Sequence, residues 1–262
     1  MITVSAQHLQ DWVAHLFWPF VRVGGCLMIA PAFGTDTVPA RLRIVIAGSI
    51  TLLIAPLLPA SPAVSAFSGA GFLITAQELL IGAALGFCLK IVFDAVTLGG
   101  QVLSNGMGLS LAYNLDPLHG SDASSPAIGQ LYTLLVTLTF LALNGHLALL
   151  ETLVRSFQQM PVGGDGLGAA GLHTVIEWGS ILFSGALTIA LPGVTALLIV
   201  HVAFGVMSRA APSFNLFAIG LPISLVFGLV IAVIGLSGVQ ATFVQLLGRA
   251  FEELRLILGM AG

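Results

Sequence analysis

Charge is what this sequence has least of. Only 7% of its 262 residues are Asp, Glu, Lys or Arg, where soluble domains carry roughly 25%, and Lys90 is its one lysine. With 57% hydrophobic residues and a mean hydropathy of +1.06, the chain falls outside the soluble globular class and reads as membrane-inserted or membrane-assembled. The net charge is −3, from 11 acids against 8 bases, and no basic cluster exists that would neutralise a row of phosphates. Nucleic acid is therefore not an expected partner. The two cysteines, Cys26 and Cys88, lie in apolar segments without CxxC or Cys/His spacing, so they read as small buried hydrophobes and say nothing of compartment. The N-terminus has no basic n-region and Arg22 interrupts the first apolar run, so a cleavable signal peptide is not expected.

Catalytic and metal signatures are missing too. Gly108-Leu109-Ser110-Leu111-Ala112 lacks the last glycine of a G-x-S-x-G elbow and sits in a helical chain, not at a strand-to-helix turn. Gly235-Leu236-Ser237-Gly238 is nearer to the G-x-S-G of rhomboid intramembrane proteases, whose base is a histidine on a later helix, but the last histidine here is His201. The six histidines contain no H-E-x-x-H and no pair at metal-ligand spacing. "GGDGLG", Gly163 to Gly168, follows a helix and not a strand, and no G-x-x-x-x-G-K-[ST] occurs. No active site, cofactor or metal is expected.

What is present is a series of apolar runs. Six stand out: Val13 to Ala32, Ile44 to Ala60, Phe72 to Val96, Ala127 to Leu150, Trp178 to Phe204 and Phe214 to Leu236. Most are long enough to cross about 30 Å of hydrocarbon, and an unpaired backbone group in lipid costs several kcal/mol, so each is expected to be helical. The fold class is all-α, a polytopic hydrophobic protein with bent helices and hairpins. Arg22, Glu78, Lys90 and Asp94 lie inside these runs; facing lipid, the four would cost on the order of 10 kcal/mol, so they must face protein, water or the interface. Lys90 and Asp94, four apart, share a helix face and can form a local salt bridge. Pro192 divides the fifth run and predicts a bend or a hairpin there. With alternating spans the basic loop residues tie at three a side (Arg41, Arg43, Arg209 against Arg155, Arg249, Arg255), so charge bias sets no orientation.

Three further segments differ from the rest. Pro161 to Gly171 is Gly-rich and reads as a linker, as does the Pro/Ser/Gly stretch Pro59 to Gly71. Thr242 to Gly259 is amphipathic, with Phe243, Leu246, Leu247, Phe251, Leu254 and Leu258 opposite Arg249, Glu252, Glu253 and Arg255; it reads as an interfacial or partner-docking helix. Between the third and fourth runs comes "NGMGLSLAYNLDPLHGSDASSPAIG", Asn105 to Gly129. On composition it is either an ordinary membrane-surface loop or a loop sheltered inside an assembly, because irregular backbone at membrane depth must border protein or water.

Asn105 to Gly163, with MGLS, DP, SPxxG, FLxxxGH and SFxxxPVG in order, resembles the FliR family of flagellar type III export-gate proteins. "RAAPSFNLFAIGLPISLVFGL" (Arg209 to Leu229), "RVGGCLMIAPAFGTDTVPARLR" (Arg22 to Arg43) and "ELLIGAALGF" (Glu78 to Phe87) extend the resemblance over nearly the whole chain. It implies a single-copy subunit of a helical hetero-oligomeric gate in the bacterial inner membrane at the flagellar basal body. The implied companions are FliP and FliQ, with contact to FlhB, and the implied cargo is unfolded flagellar proteins. The related injectisome gate is an alternative, and a solute transporter with broken helices around Pro192 and Pro222 is a more distant one.

The resemblance further implies a pore plug over residues 105–126, carried by Gly106, Met107, Gly108, Leu109, Ser110, Leu111, Tyr113, Asn114, Leu115, Asp116, Pro117 and Gly120. Glycines there give backbone freedom, Pro117 and Pro126 keep the flanking helices from fusing, and Leu109, Leu111, Tyr113 and Leu115 seal by dewetting. Many relatives place phenylalanine where this chain has Leu111 and Leu115, so an aliphatic seal is expected. Arg22, Glu78, Gly82, Gly86, Arg209, Pro212, Asn215 and Pro222 are expected at subunit packing, the G-x-x-x-G of Gly82 and Gly86 by close helix approach. Arg209, Pro212, Asn215, Gly220 and Pro222 match a family motif without a known chemical role, and Asn215 is equally a helix cap.

Overall fold

The structure, a computed structural model, describes residues 6–31, 33–34, 38–59, 62, 64–65, 68–109, 127–210 and 216–259. Among these the chain is helical without strands. Helix α1 spans Ala6–Ile29; α2, Ala40–Ile54, runs into a 3-10 turn at Ala55–Leu57; α3 is Gly69–Gly106, α4 Ala127–Ala142, α5 Gly145–Gln159, α6 Ala169–Trp178, α7 Ile181–Ala210, α8 Leu216–Ile234 and α9 Leu236–Ile257. Helices satisfy every backbone group within one segment, which is what so apolar a chain requires.

Three stretches are long and apolar enough to cross a membrane: Ala40–Leu57, Gly69–Gly106 and Ala169–Ala210. The count rises to five if α4 with α5, bent by 66°, and Gly220–Ile234 with α9, bent by 51°, each make one broken span. The first bend has a local cause. Asn144 adopts φ 56, the left-handed region that Asn tolerates better than most residues, and a Cβ on the next residue, Gly145, would overlap the Phe140 ring. No hairpin forms at Pro192: helix α7 continues through it, although an interior proline removes one backbone hydrogen bond and crowds the carbonyl four residues before it.

The contacts divide the chain into two units. Unit 1 comprises residues 1–91, 140–179 and 248–262; unit 2 comprises 92–139 and 180–247. In unit 1 the core holds Trp18, Val23, Leu27, Ile81, Leu85, Leu89, Leu149, Leu153 and Phe157. Its buried indoles are satisfied: Trp18 Nε1 donates to Thr75 Oγ1 at 3.3 Å and Trp178 Nε1 to the Cys88 carbonyl at 2.9 Å. The Gly-rich stretch 161–171 belongs to this unit and forms defined turns. Gly163 and Gly166 take φ 78 and 64, and the Gly164 carbonyl accepts a hydrogen bond from Gln77 Nε2 at 3.2 Å. In unit 2, Phe93 meets Phe243 edge to face at 5.1 Å between centroids, and Thr97 and Thr133 share a 2.7 Å hydrogen bond between α3 and α4.

The apolar stripe of the amphipathic C-terminal segment is turned inward. Phe243, Leu246, Leu247, Leu254 and Leu258 are all buried, while Arg249, Glu252 and Arg255 are exposed. The pattern foreseen between residues 242 and 259 is present, but the chain itself covers most of the face that was expected to dock elsewhere. Burial also sorts the candidate spans. The hydropathic window of α3 is 67% buried, that of 169–210 only 17%, so α3 is a protein-facing helix and α7 presents Phe183, Leu187, Leu198, Ile199 and Val202 outward.

Candidate functional site

Two places in the chain concentrate polarity and close packing. The first is the crossing of α1 and α3 in unit 1. Arg22 and Cys26 of α1, with Ala30 directly after its end, recur every four residues, and Glu78, Gly82 and Gly86 do so along α3, so each set forms one face. A Cβ on Gly82 would overlap the Arg22 carbonyl oxygen and lie 3.0 Å from the Cys26 nitrogen; one on Gly86 would lie 2.6 Å from the Cys26 carbonyl oxygen and 3.0 Å from the Ala30 nitrogen. Only glycine permits this approach of the two backbones. One turn before Gly82, the approach brings Glu78 to Arg22.

Arg22 and Glu78 are 0% and 1% exposed. Arg22 Nε donates to Glu78 Oε2 at 2.6 Å and Nη2 to Oε1 at 3.0 Å, a bidentate pair. Nη2 also donates to the Met160 carbonyl at 2.8 Å and Nη1 to Ser156 Oγ at 3.2 Å. Ser156 Oγ in turn donates to the Leu153 carbonyl at 2.7 Å. The guanidinium carbon stands 4.1 Å over the Phe157 ring, a cation–π contact strengthened by the absence of water. Both charges are paired and hydrogen-bonded, so the cluster is closed to substrate and acts as a clasp joining α1, α3 and α5.

The second place is the end of α3 in unit 2. Met107 is 1% exposed, and its amide reaches both the Leu103 and Ser104 carbonyls at 3.1 and 3.2 Å. Gly108 then takes φ 79 and ends the helical course, a conformation glycine adopts without steric cost. A cavity of about 400 Å³ opens beside it, lined by Asn105, Gly106, Gly108, Phe204, Gly220 and Leu221. On its wall His201 Nε2 and Ser224 Oγ lie 3.2 Å apart and link α7 to α8.

The residues singled out from the sequence separate accordingly. Arg22, Glu78, Gly82 and Gly86, expected at contacts with companion chains, are brought together within the chain. Gly106 is the last residue of α3 with Met107, Gly108 and Leu109 directly after it, and Gly106 and Gly108 share the cavity with Gly220. Arg209 is exposed in the last turn of α7, and Pro222 is exposed in α8, which continues through it. Ser110, Leu111, Tyr113, Asn114, Leu115, Asp116, Pro117, Gly120, Pro212 and Asn215 lie outside the described residues. Lys90 is exposed and Asp94 half-buried. Ser156, Phe157, Gly193 and Gly228 were not foreseen as site residues. Among the described residues no three His, Cys, Asp or Glu side chains are grouped to hold a metal ion.

Residues 13–250 match the family described as bacterial export proteins, family 1. The chain is similar to the flagellar biosynthetic protein FliR of Escherichia coli (strain K12), 36% identical over 229 residues covering 87% of each chain. It is 32% identical to the FliR of Pectobacterium carotovorum subsp. carotovorum over 229 residues, again 87% of each, and 27% identical to that of Bacillus subtilis (strain 168) over 249 residues, 93% of this chain and 94% of the relative. Similarity that runs almost end to end, in a chain whose described residues are helical and include spans of membrane-crossing length, shows that this protein belongs to the bacterial export proteins, family 1, as a member of the FliR family.

Proposed function

We propose that this flagellar export component is a structural and pore-forming subunit of the type III export gate in the bacterial inner membrane, at the basal body of the flagellum. In this reading it assembles with FliP and FliQ, contacts FlhB, and helps form the channel through which unfolded flagellar proteins leave the cytoplasm. Its role is architectural, not catalytic. Residues 106–126 serve as the plug in this reading, and the apolar side chains of Leu109, Leu111, Tyr113 and Leu115 exclude water at rest.

The observation that supports this most is the burial of α3. A long apolar helix that faces protein delivers the polar Gly/Pro-rich segment from a packed end at Met107 and Gly108. Such backbone is tolerable at membrane depth only where protein or water borders it. Deleting Tyr113 to Ser121 is expected to leave assembly with the companions intact while raising the ion conductance of membranes that contain the gate. Unchanged conductance at normal amounts of assembled complex would remove the plug assignment.

A further inference from the structure

Within unit 2, the last two turns of α3 are fastened to their neighbours by side chains seated in glycine gaps. Leu103 and Met107, four apart, share one face of the helix. A Cβ on Gly193 of α7 would stand 2.6 Å from Leu103 Cδ1. On α8, a Cβ at Gly228 would overlap Met107 Cγ and lie 2.8 Å from its Cε and 2.9 Å from its Sδ; all three nearest atoms belong to Met107. Gly228 is buried, as are Leu103 and Met107. Gly99 and Gly100 extend the pattern one turn back, the first against Ile189 of α7 and the second 2.8 Å, from its would-be Cβ, to the Cα of Gly129 in α4. Met107 is the last of these seats before Gly108 turns to φ 79.

We infer that Gly228 is a positioning residue of the gate: by accepting Met107 it fixes where α3 ends and the direction in which the chain leaves it. The inference rests on the pore reading above and adds a residue of α8 to it. Methionine suits the seat, because its unbranched, polarizable side chain fills an irregular gap that a branched one would not enter. A side chain at 228 must expel Met107, and with Gly108 only one residue on, the displacement passes directly to the point of departure. Gly238 of α9, by contrast, has no described atom within 4 Å of its would-be Cβ, so the demand at 228 is local.

The test uses the full chain, co-expressed with its companions. Gly228→Leu is expected to raise ion conductance several-fold at wild-type amounts of assembled complex, and Gly228→Leu with Met107→Ala to bring it back toward the wild type by vacating the space. Gly238→Leu in α9, exposed and with nothing within 4 Å of its would-be Cβ, is expected to change nothing. Should Gly228→Leu fail to accumulate, Gly228→Ala carries the same clash in smaller form. Independently, Met107→Cys with Gly228→Cys is expected to form a disulfide on mild oxidation, leaving after denaturation only the thiols of Cys26 and Cys88 open to maleimide. Failure of the engineered pair to close, or a Gly228→Leu leak that Met107→Ala does not relieve, overturns the inference. Deleting Tyr113 to Ser121 in parallel separates the two ideas: if the deletion leaks and Gly228→Leu does not, the positioning role alone falls, and if the deletion is silent, the pore reading falls with it.

Discussion

Replacing Arg22 with alanine should remove the protein from the membrane fraction and abolish swimming in a host that depends on it. The substitution leaves Glu78 buried at 1% exposure without its bidentate partner, and removing one member of a buried ion pair costs about 3–5 kcal/mol. Against the ~5–15 kcal/mol that holds a typical domain folded, the loss is large enough to deplete the native state. It also removes the hydrogen bonds that Ser156 Oγ and the Met160 carbonyl accept from Arg22, and the cation over Phe157. Arg22→Lys should rescue little, since a point-charge ammonium cannot reproduce the planar fork that binds both carboxylate oxygens and Met160 together. The informative comparison is Arg22→Met with Glu78→Leu. Replacing a whole buried pair with apolar residues of similar volume is often neutral or stabilising, so the double variant is expected to accumulate where Arg22→Ala does not. Immunoblots of membrane fractions read both arms, and an Arg22→Ala chain present at wild-type level would refute the clasp.

The second large effect is expected at Gly82. Its would-be Cβ overlaps the Arg22 carbonyl oxygen, which is backbone and cannot rotate away, so Gly82→Ala forces α1 from α3. Overpacking a core usually costs about 1–3 kcal/mol. Here the separation also stretches the 2.6 Å Arg22–Glu78 bond one turn away, so the cost of the clash and of the weakened pair come together. Gly24→Ala is the control. Nothing lies within 4 Å of its would-be Cβ, and an alanine in a helix interior is favoured over glycine by roughly 1 kcal/mol. In detergent, the thermal midpoint of the purified assembly is expected to fall for Gly82→Ala and to hold or rise for Gly24→Ala. Equal midpoints for the two would show that the crossing is looser than its geometry.

These residues show what can be read from composition and what requires coordinates. The helical, membrane-class character follows from hydropathy alone, because apolar runs of this length have one way to satisfy their backbones. The amphipathic face from Phe243 to Leu258 is equally visible, since a periodicity of 3.6 belongs to the segment itself. Arg22 and Glu78 were each recognisable as charges that had to avoid lipid, yet their partnership was not. They are separated by 56 residues, and no local spacing announces a pairing made by tertiary packing, whereas Lys90 and Asp94 attract notice simply by being four apart. Gly82 and Gly86 stood out by their interval, but the interval does not say whether the opposing backbone belongs to the same chain. Gly228 lay within the quoted block Arg209 to Leu229 but was not singled out among 31 glycines; what distinguishes it is the Met107 side chain against it. At Pro192 the sequence left a bend and a hairpin open, and the 30-residue helix that runs through it excludes the hairpin.

The composition of the clasp also imposes an order on synthesis. Arg22 leaves the ribosome 56 residues before Glu78 and 134 before Ser156, so the first helix is born carrying a guanidinium with none of its eventual ligands. Alone at mid-bilayer such a residue costs about 2.5–3.5 kcal/mol on translocon scales. A first helix that entered the bilayer before α3 was translated would carry that cost unpaired, so the clasp is expected to close only after Glu78 and Ser156 have been made.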